Sequence, residues 1–436
     1  MKQSRYTIVE QAPSGEHLLF NTATGAFAAL DDEGFACYEA GEGSIASELE
    51  RGGFLTELSP DEELDALRGR IAENRADRST LTLSFVPTYA CNYRCPYCYE
   101  QDRVKLGGKM DERTMSAVMA FVRAHYEQDG FSKLSVQWYG GDPSLVLDVV
   151  EELSGRLIAF CDEEGVAYEA MMLTNANVIG EAEANVIARC RVGLVFLTID
   201  GPEEIHNQRR VAANGTNSYR KTLHAARLLR ARGVSLTATM NVDRVNWPHY
   251  TQLRDELFAE EGISLTVGRL CDYGHTFGEA PFAEPQFSLF THDEFCEERQ
   301  RLFESEPHTA DEMRAMLQPI LQFCQGQSGN YFVIDFKGDV FSCDGWIGYP
   351  ENVRFSVHDD PGEWKPSEIV FDAPRDEKCS QCELLPLCLG SCIWEREATG
   401  MPCHPLKGRI GAYLRVYRSC FETAQPGMTL LAEPVQ

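Results

Sequence analysis

Positive charge is scarce in this chain, and long apolar runs are missing from it. Of its 436 residues 40 are Lys or Arg against 67 Asp or Glu, a formal net charge of −27. A field of that sign repels phosphate backbones and anionic lipid, so neither nucleic acid nor a membrane is expected as a partner. No uninterrupted apolar stretch approaches a bilayer-spanning length, and the start, Met1-Lys2-Gln3-Ser4-Arg5-Tyr6, lacks the apolar core of a secretion signal. A cytoplasmic protein is expected. Internal repeats and low-complexity tracts are absent too. With 43% hydrophobic and 25% charged residues the chain is neither disordered nor collagen-like, and its length suits two or three domains.

Cysteine, by contrast, is plentiful. A reducing cytoplasm keeps thiols free, so 16 cysteines point to metal or catalysis rather than to disulfides. Cys37, Cys161, Cys190, Cys271 and Cys296 stand singly in apolar contexts and read as small buried thiols. The rest form two groups: Cys91, Cys95 and Cys98, then Cys324, Cys343, Cys379, Cys382, Cys388, Cys392, Cys403 and Cys420.

Apolar, β-rich runs recur at 81–86, 134–139, 168–174, 193–199, 235–242 and 263–269. Helix-patterned stretches at 111–125, 145–161, 181–190, 218–232 and 248–260 separate them, each long enough for a crossover. This alternation predicts an α/β fold with a parallel sheet, either open or closed into a barrel, and the carboxyl ends of its strands form the ligand face. Short strands at 6–11, 17–21 and 27–30 and helices at 31–38, 45–51 and 60–74 predict a small winged-helix-like module at the start, or an extension packed on the sheet. Helices are also expected at 292–304 and 310–325, after a Phe-, Pro- and Gly-rich connector.

Cys91-Asn-Tyr-Arg-Cys95-Pro-Tyr-Cys98 directly follows the first strand of the sheet. Three thiolates suit a four-iron cube with one iron left open, whereas zinc would need a distant fourth ligand. The spacing, with aromatic Tyr97 before the last cysteine, resembles the radical S-adenosylmethionine (SAM) superfamily. That resemblance implies a partial (β/α)6 TIM-like barrel and a 4Fe-4S cluster whose open iron holds SAM. Trp138-Tyr139-Gly140-Gly141-Asp142-Pro143 resembles the family's Gly-Gly-Glu-Pro segment, with Asp142 one methylene shorter than Glu. Thr174-Asn175-Ala176 resembles Thr-Asn-Gly, and Leu197-Thr198-Ile199-Asp200-Gly201-Pro202, with His206 and Arg209-Arg210 behind it, resembles Ser-x-Asp-Gly-Pro. The resemblance implies that Tyr97, Gly140, Gly141, Asp142, Asn175, Thr198 and Asp200 bind SAM.

Cys324, Cys343, Cys379-x2-Cys382-x5-Cys388-x3-Cys392 and Cys403 resemble the SPASM domain, which adds two auxiliary 4Fe-4S clusters to such barrels. By that resemblance Cys324, Cys343 and Cys392 bind the first auxiliary cluster, and Cys379, Cys382, Cys388 and Cys403 the second. The fourth ligand of the first is left open, or is Asp344 or Cys420; a zinc site at Cys379, Cys382, Cys388 and Cys392 is the alternative for the string. The implied domains are 1–80, a leader-recognition-like module; 81–285, the barrel; 286–320, a helical bridge; and 321–436, the SPASM domain.

SPASM-type relatives modify peptides or proteins through a 5′-deoxyadenosyl radical. The expected function is a thioether or other crosslink in a ribosomally made precursor peptide. A sulfatase maturase that forms formylglycine from Cys or Ser is the alternative, and a non-catalytic iron-sulfur or zinc scaffold a further one. Asp344, directly after Cys343, is the implied base. A precursor peptide with a leader is the implied partner, adding a strand near 6–11 or 27–30, with reduced flavodoxin or ferredoxin as electron donor.

Overall fold

Asn21 folds its side chain back onto the turn it begins: its Oδ1 accepts from the amides of Ala23 (2.9 Å) and Thr24 (3.0 Å). That turn joins β2 (His17–Asn21) to β3 (Phe27–Leu30), and β1 (Thr7–Gln11) completes an antiparallel meander. Helices α1 (Asp32–Ala40), α2 (Ala46–Arg51) and α3 (Pro60–Ala76) follow. Asp31 caps the first, and a Ser59/Glu62 capping box with Pro60 behind it starts the third. The computed structural model describes the backbone of residues 1–272, 286–367, 371–392, 394–396, 403–421 and 428–434. Most of the connector expected after Arg269 lies outside the described residues.

The free edge of β3 is taken by the chain itself. Met428–Ala432 pairs antiparallel with it, Met428 opposite Leu30 and Ala432 opposite Phe27. The edge at 27–30 is therefore closed to a leader strand, which corrects one of the two docking places expected there. Helix Ile410–Ser419 covers one face of the same sheet, with Tyr417 stacked on Phe27 at 4.5 Å and Arg418 paired to Glu16 at 2.9 Å.

Six strands then run parallel in chain order: β4 (Thr80–Val86), β5 (Lys133–Trp138), β6 (Ala167–Leu173), β7 (Val192–Thr198), β8 (Ser235–Val242) and β9 (Ser264–Arg269). Period-two alternation sorts their side chains. Leu81, Leu83 and Phe85 join the buried cluster that holds Val118, Phe121 and Val122 of helix Glu112–Asp129. Ser84 and Gln137 face the other way and make polar contacts described below, and Thr198 and Asn241 line the cavity there.

β10 (Tyr331–Asp335), which the sequence reading missed, adds to the other edge of β4 in parallel, Tyr331 opposite Thr82 and Asp335 opposite Val86. Its apolar run between Gly329-Asn330 and Lys337-Gly338 was the signal available. Helix boundaries shifted where proline intervenes. The helix expected over 310–325 stops at Met316, because Pro319 disfavours helical backbone at the residue before it. The stretch 203–209, given no element from the sequence, forms a helix (Glu203–Arg209). Among the described residues no helix is long and apolar enough to cross a membrane.

Candidate active site

The loop after β4 carries Cys91, Cys95 and Cys98 and is held by its backbone. Arg94 N donates to Val211 O (2.7 Å), Ala213 N donates to Asn92 O (2.8 Å), and Tyr93 forms an antiparallel bridge with Ala212. The three thiols line one cavity of about 530 Å³ together with Gly140, Gly141, Asn175, Thr198 and Tyr97. Burial pushes the Cys91 thiol up to about 11 and raises Cys95 and Cys98 as well. Such thiols resist ionisation until a cation accepts the thiolate. Cys91 Sγ accepts from Tyr93 N (3.4 Å) and Asn175 Nδ2 (3.6 Å).

Gly140 and Gly141 are needed by the chain's own backbone. A Cβ on Gly141 would lie 2.3 Å from the carbonyl oxygens of both Tyr89 and Ala90, and one on Gly140, at φ +109°, would lie 2.8 Å from Thr88 O. The glycines let the thiol-bearing loop cross the end of β5. Asp142 is fully buried and turned away from the cavity. Its Oδ1 accepts from Ser144 N (2.9 Å), Ser144 Oγ (2.6 Å) and Thr174 Oγ1 (2.8 Å), and its Oδ2 from Asn175 N (3.1 Å). In this arrangement it ties the ends of β5 and β6 together. Ala176, where the family shows glycine, sits at φ +60° with its amide on Thr174 Oγ1 (3.0 Å), a conformation that costs an L-residue about 1–2 kcal/mol.

On the opposite wall Asp200 is buried. Its Oδ2 accepts from the Tyr97 hydroxyl and its Oδ1 from Asn241 N (3.0 Å). Arg210 donates to the same Tyr97 oxygen (3.4 Å) and lies over the Tyr93 ring at 5.4 Å. Thr198 lines the cavity at the end of β7, while His206 Nδ1 accepts from Asp200 N (3.3 Å) beneath it. Asn241, Arg269 and Cys271 also line the cavity and were not singled out from the sequence. Their place at or just past the carboxyl ends of β8 and β9 was the signal for them.

The second cysteine group divides in two. Cys324, Cys343 and Cys392 act electrostatically on one another. Cys379, Cys382, Cys388 and Cys403 line a separate cavity of about 150 Å³. Cys420 belongs to neither, since its Sγ donates to His308 O (3.3 Å) and Val416 O (3.4 Å). Asp344 reaches the open side of the sheet. Its Oδ1 accepts from Ser84 Oγ (2.7 Å), and its Oδ2 from Tyr331 OH (2.6 Å) and Gln137 Nε2 (3.5 Å). β10 thus runs along the edge of β4 on the way from Cys324 to Asp344. Among the described residues no three His, Cys, Asp or Glu side chains converge closely enough to hold one metal ion.

Residues 85–257 match the model of the radical SAM superfamily. They are a radical SAM domain, and the chain is an enzyme. The chain is 24% identical to the cysteine-type anaerobic sulfatase-maturating enzyme of Clostridium novyi (strain NT), over 79% of this chain and 94% of that one. It is 23% identical to the serine-type enzyme of Bacteroides thetaiotaomicron, over 72% and 83%. Among solved structures, anSMEcpe with bound AdoMet and the Kp18Cys peptide aligns with a TM-score of 0.61 at 17% identity, covering 78% of this chain and 97% of that one. Streptococcus suis SuiB bound to precursor peptide SuiA aligns with a TM-score of 0.50 at 14% identity, covering 92% and 98%.

The radical SAM family implies SAM and a 4Fe-4S cluster, and the residues present fit both. Three thiols at one end of a cavity of about 530 Å³ match a cluster with one open iron, and the remaining space is of the size that takes a cofactor. The glycine pair gives a direct test of the loop in this radical SAM domain. Gly141→Ala is expected to lower iron content by up to about the four irons of one cluster and SAM cleavage about 100-fold, because the added methyl must displace the loop by an ångström or so. Iron analysis and 5′-deoxyadenosine release measure this, with unchanged far-UV circular dichroism as the control for folding.

Proposed function

We propose that the chain is a three-cluster radical SAM maturase that forms a thioether or other crosslink in a precursor peptide. The observation that carries the reading is Asp344, held by Ser84, Gln137 and Tyr331 between the radical SAM strands and the Cys324, Cys343 and Cys392 set. In this reading Cys91, Cys95 and Cys98 hold the SAM-binding cluster, Gly140 and Gly141 seat their loop, and Asn175, Thr198, Tyr97 and Asp200 shape the SAM site. Cys324, Cys343 and Cys392 hold one auxiliary cluster, and Cys379, Cys382, Cys388 and Cys403 the other. When bound, SAM and its cluster supply a radical able to take hydrogen from a C–H bond. The walls of the sheet and the loop after β4 keep water from that reaction. Asp344 takes the proton of a substrate thiol at a carboxylate oxygen. Burial holds its carboxyl above the usual carboxylate range, which strengthens it as a base.

A structured module before the radical SAM strands favours a peptide with a leader, which would add to the edge of β1. SuiB aligns over 92% of the chain and anSMEcpe over 78%. The curated relatives favour formylglycine formation instead, and Asp344 serves both, since each begins with loss of a thiol or hydroxyl proton. The deciding experiment is anaerobic reconstitution with iron, sulfide and zinc analysis, then reaction with candidate precursor peptides and with a Cys- or Ser-containing sulfatase peptide. Roughly twelve irons per chain and a crosslinked peptide are expected. About four irons plus zinc, or formylglycine as the product, would overturn the reading.

A further inference from the structure

The two auxiliary cysteine sets differ in the charge that meets their sulfurs, the second meeting two cations and one carboxylate, Asp376 at Cys379. At the second set Lys407 Nζ donates to Cys382 Sγ (3.3 Å), and Arg396 donates to Cys379 Sγ (3.7 Å). Both cations are anchored from behind. Arg396 also donates to Gly390 O (3.0 Å) and lies over the Phe371 ring at 5.0 Å, and Lys407 pairs with Glu383 at 3.0 Å. At the first set the donors to sulfur are backbone amides, Glu395 N to Cys392 Sγ (3.4 Å) among them, with those of Gly326 and Gln327 at Cys324 and of Gly345 at Cys343. The charged side chains nearest that set along the chain are carboxyl groups, Asp344 beside Cys343 and Glu395 beyond Cys392, the latter 3.9 Å from Arg269.

Hydrogen bonds and positive charge at cluster sulfurs stabilise the reduced form, which carries one more negative charge. We propose that Lys407 and Arg396 make the Cys379, Cys382, Cys388 and Cys403 site the higher-potential of the two auxiliary sites. This rests on the three-cluster reading above. With both clusters bound, one electron on the Cys324, Cys343 and Cys392 site would pass downhill to the Cys379, Cys382, Cys388 and Cys403 site, the first being oxidised by the electron that reduces the second. Lys407 and Arg396 are positioning residues in this scheme, acting through the sulfurs.

The test is a redox titration followed by electron paramagnetic resonance on the reconstituted full chain. The Cys91→Ala, Cys95→Ala, Cys98→Ala background is used, so that only the auxiliary sites contribute. In Lys407→Met the higher-potential component is expected to shift negative, so that its reduced-to-oxidised ratio at the original midpoint falls about tenfold, or about 59 mV for one electron. Glu383→Gln, which removes the opposing charge, is expected to shift it positive, and Lys407→Arg to leave it near its original value. Opposite signs from the two partners of one ion pair are not what a loss of packing would produce. An unmoved midpoint, a shift in the lower component, or loss of iron in Lys407→Met overturns the proposal. Fewer than about eight irons in the background protein itself overturns the three-cluster reading as well.

Discussion

Replacing Cys91, Cys95 and Cys98 together by alanine is expected to abolish SAM cleavage and leave a folded protein. The loop does not depend on its thiols for its path. Arg94 N on Val211 O, the Tyr93–Ala212 bridge, and Asp142 N on Ala90 O (2.9 Å) all lie in the backbone. Of the three side chains Cys95 is the most buried, 5% exposed, and losing a small group there costs on the order of 1 kcal/mol. Iron content should drop by about four per chain, and 5′-deoxyadenosine release under dithionite should fall to background. The Cys324 and Cys379 groups lie apart from this loop and, on the three-cluster reading, are expected to keep their iron. Turnover of SAM that persisted in the triple variant would sink the assignment of this loop.

The parallel sheet was legible because its strands carry dense apolar runs and its helices are long enough to repeat a face. The cysteine loop was legible from spacing alone. What escaped the sequence were partnerships between distant segments. Nothing local in Tyr331–Asp335 says that it will pair with Thr80–Val86, some 250 residues earlier, yet that pairing brings Asp344 to Ser84 and Gln137. The strand Met428–Ala432 closing the edge of β3 is hidden for the same reason. Roles were harder to read than places. Gly140 and Gly141 were expected to bind SAM, and besides lining the cavity they make room for the backbone of Thr88, Tyr89 and Ala90. Asp142 was expected at the SAM site, and its oxygens accept from Ser144, Thr174 and Asn175. Spacing gives the position of a carboxylate and says nothing of which donors reach it first.

Asp344→Asn separates cleavage of SAM from completion of the substrate reaction. The substitution keeps the shape of the side chain. An amide oxygen can still accept from Ser84 Oγ, and the new NH2 can donate to the Tyr331 oxygen, while Gln137 Nε2 keeps its bond to Ser84 Oγ (3.2 Å) and loses the longer one to Asp344. The half-buried carboxyl group is exchanged for a neutral group of nearly equal volume, so thermal stability should change little. What is lost is the ability to take a proton, and general-base assistance is worth about 10²–10⁴-fold. Product formation on a peptide substrate should fall by that factor, while 5′-deoxyadenosine continues to form without it. Tyr331→Phe, which removes one hydrogen bond and keeps the carboxylate, should cost much less. Equal losses in both variants would mean that Asp344 serves to hold the Cys343 turn in place, and unchanged product in Asp344→Asn would remove the base from the mechanism.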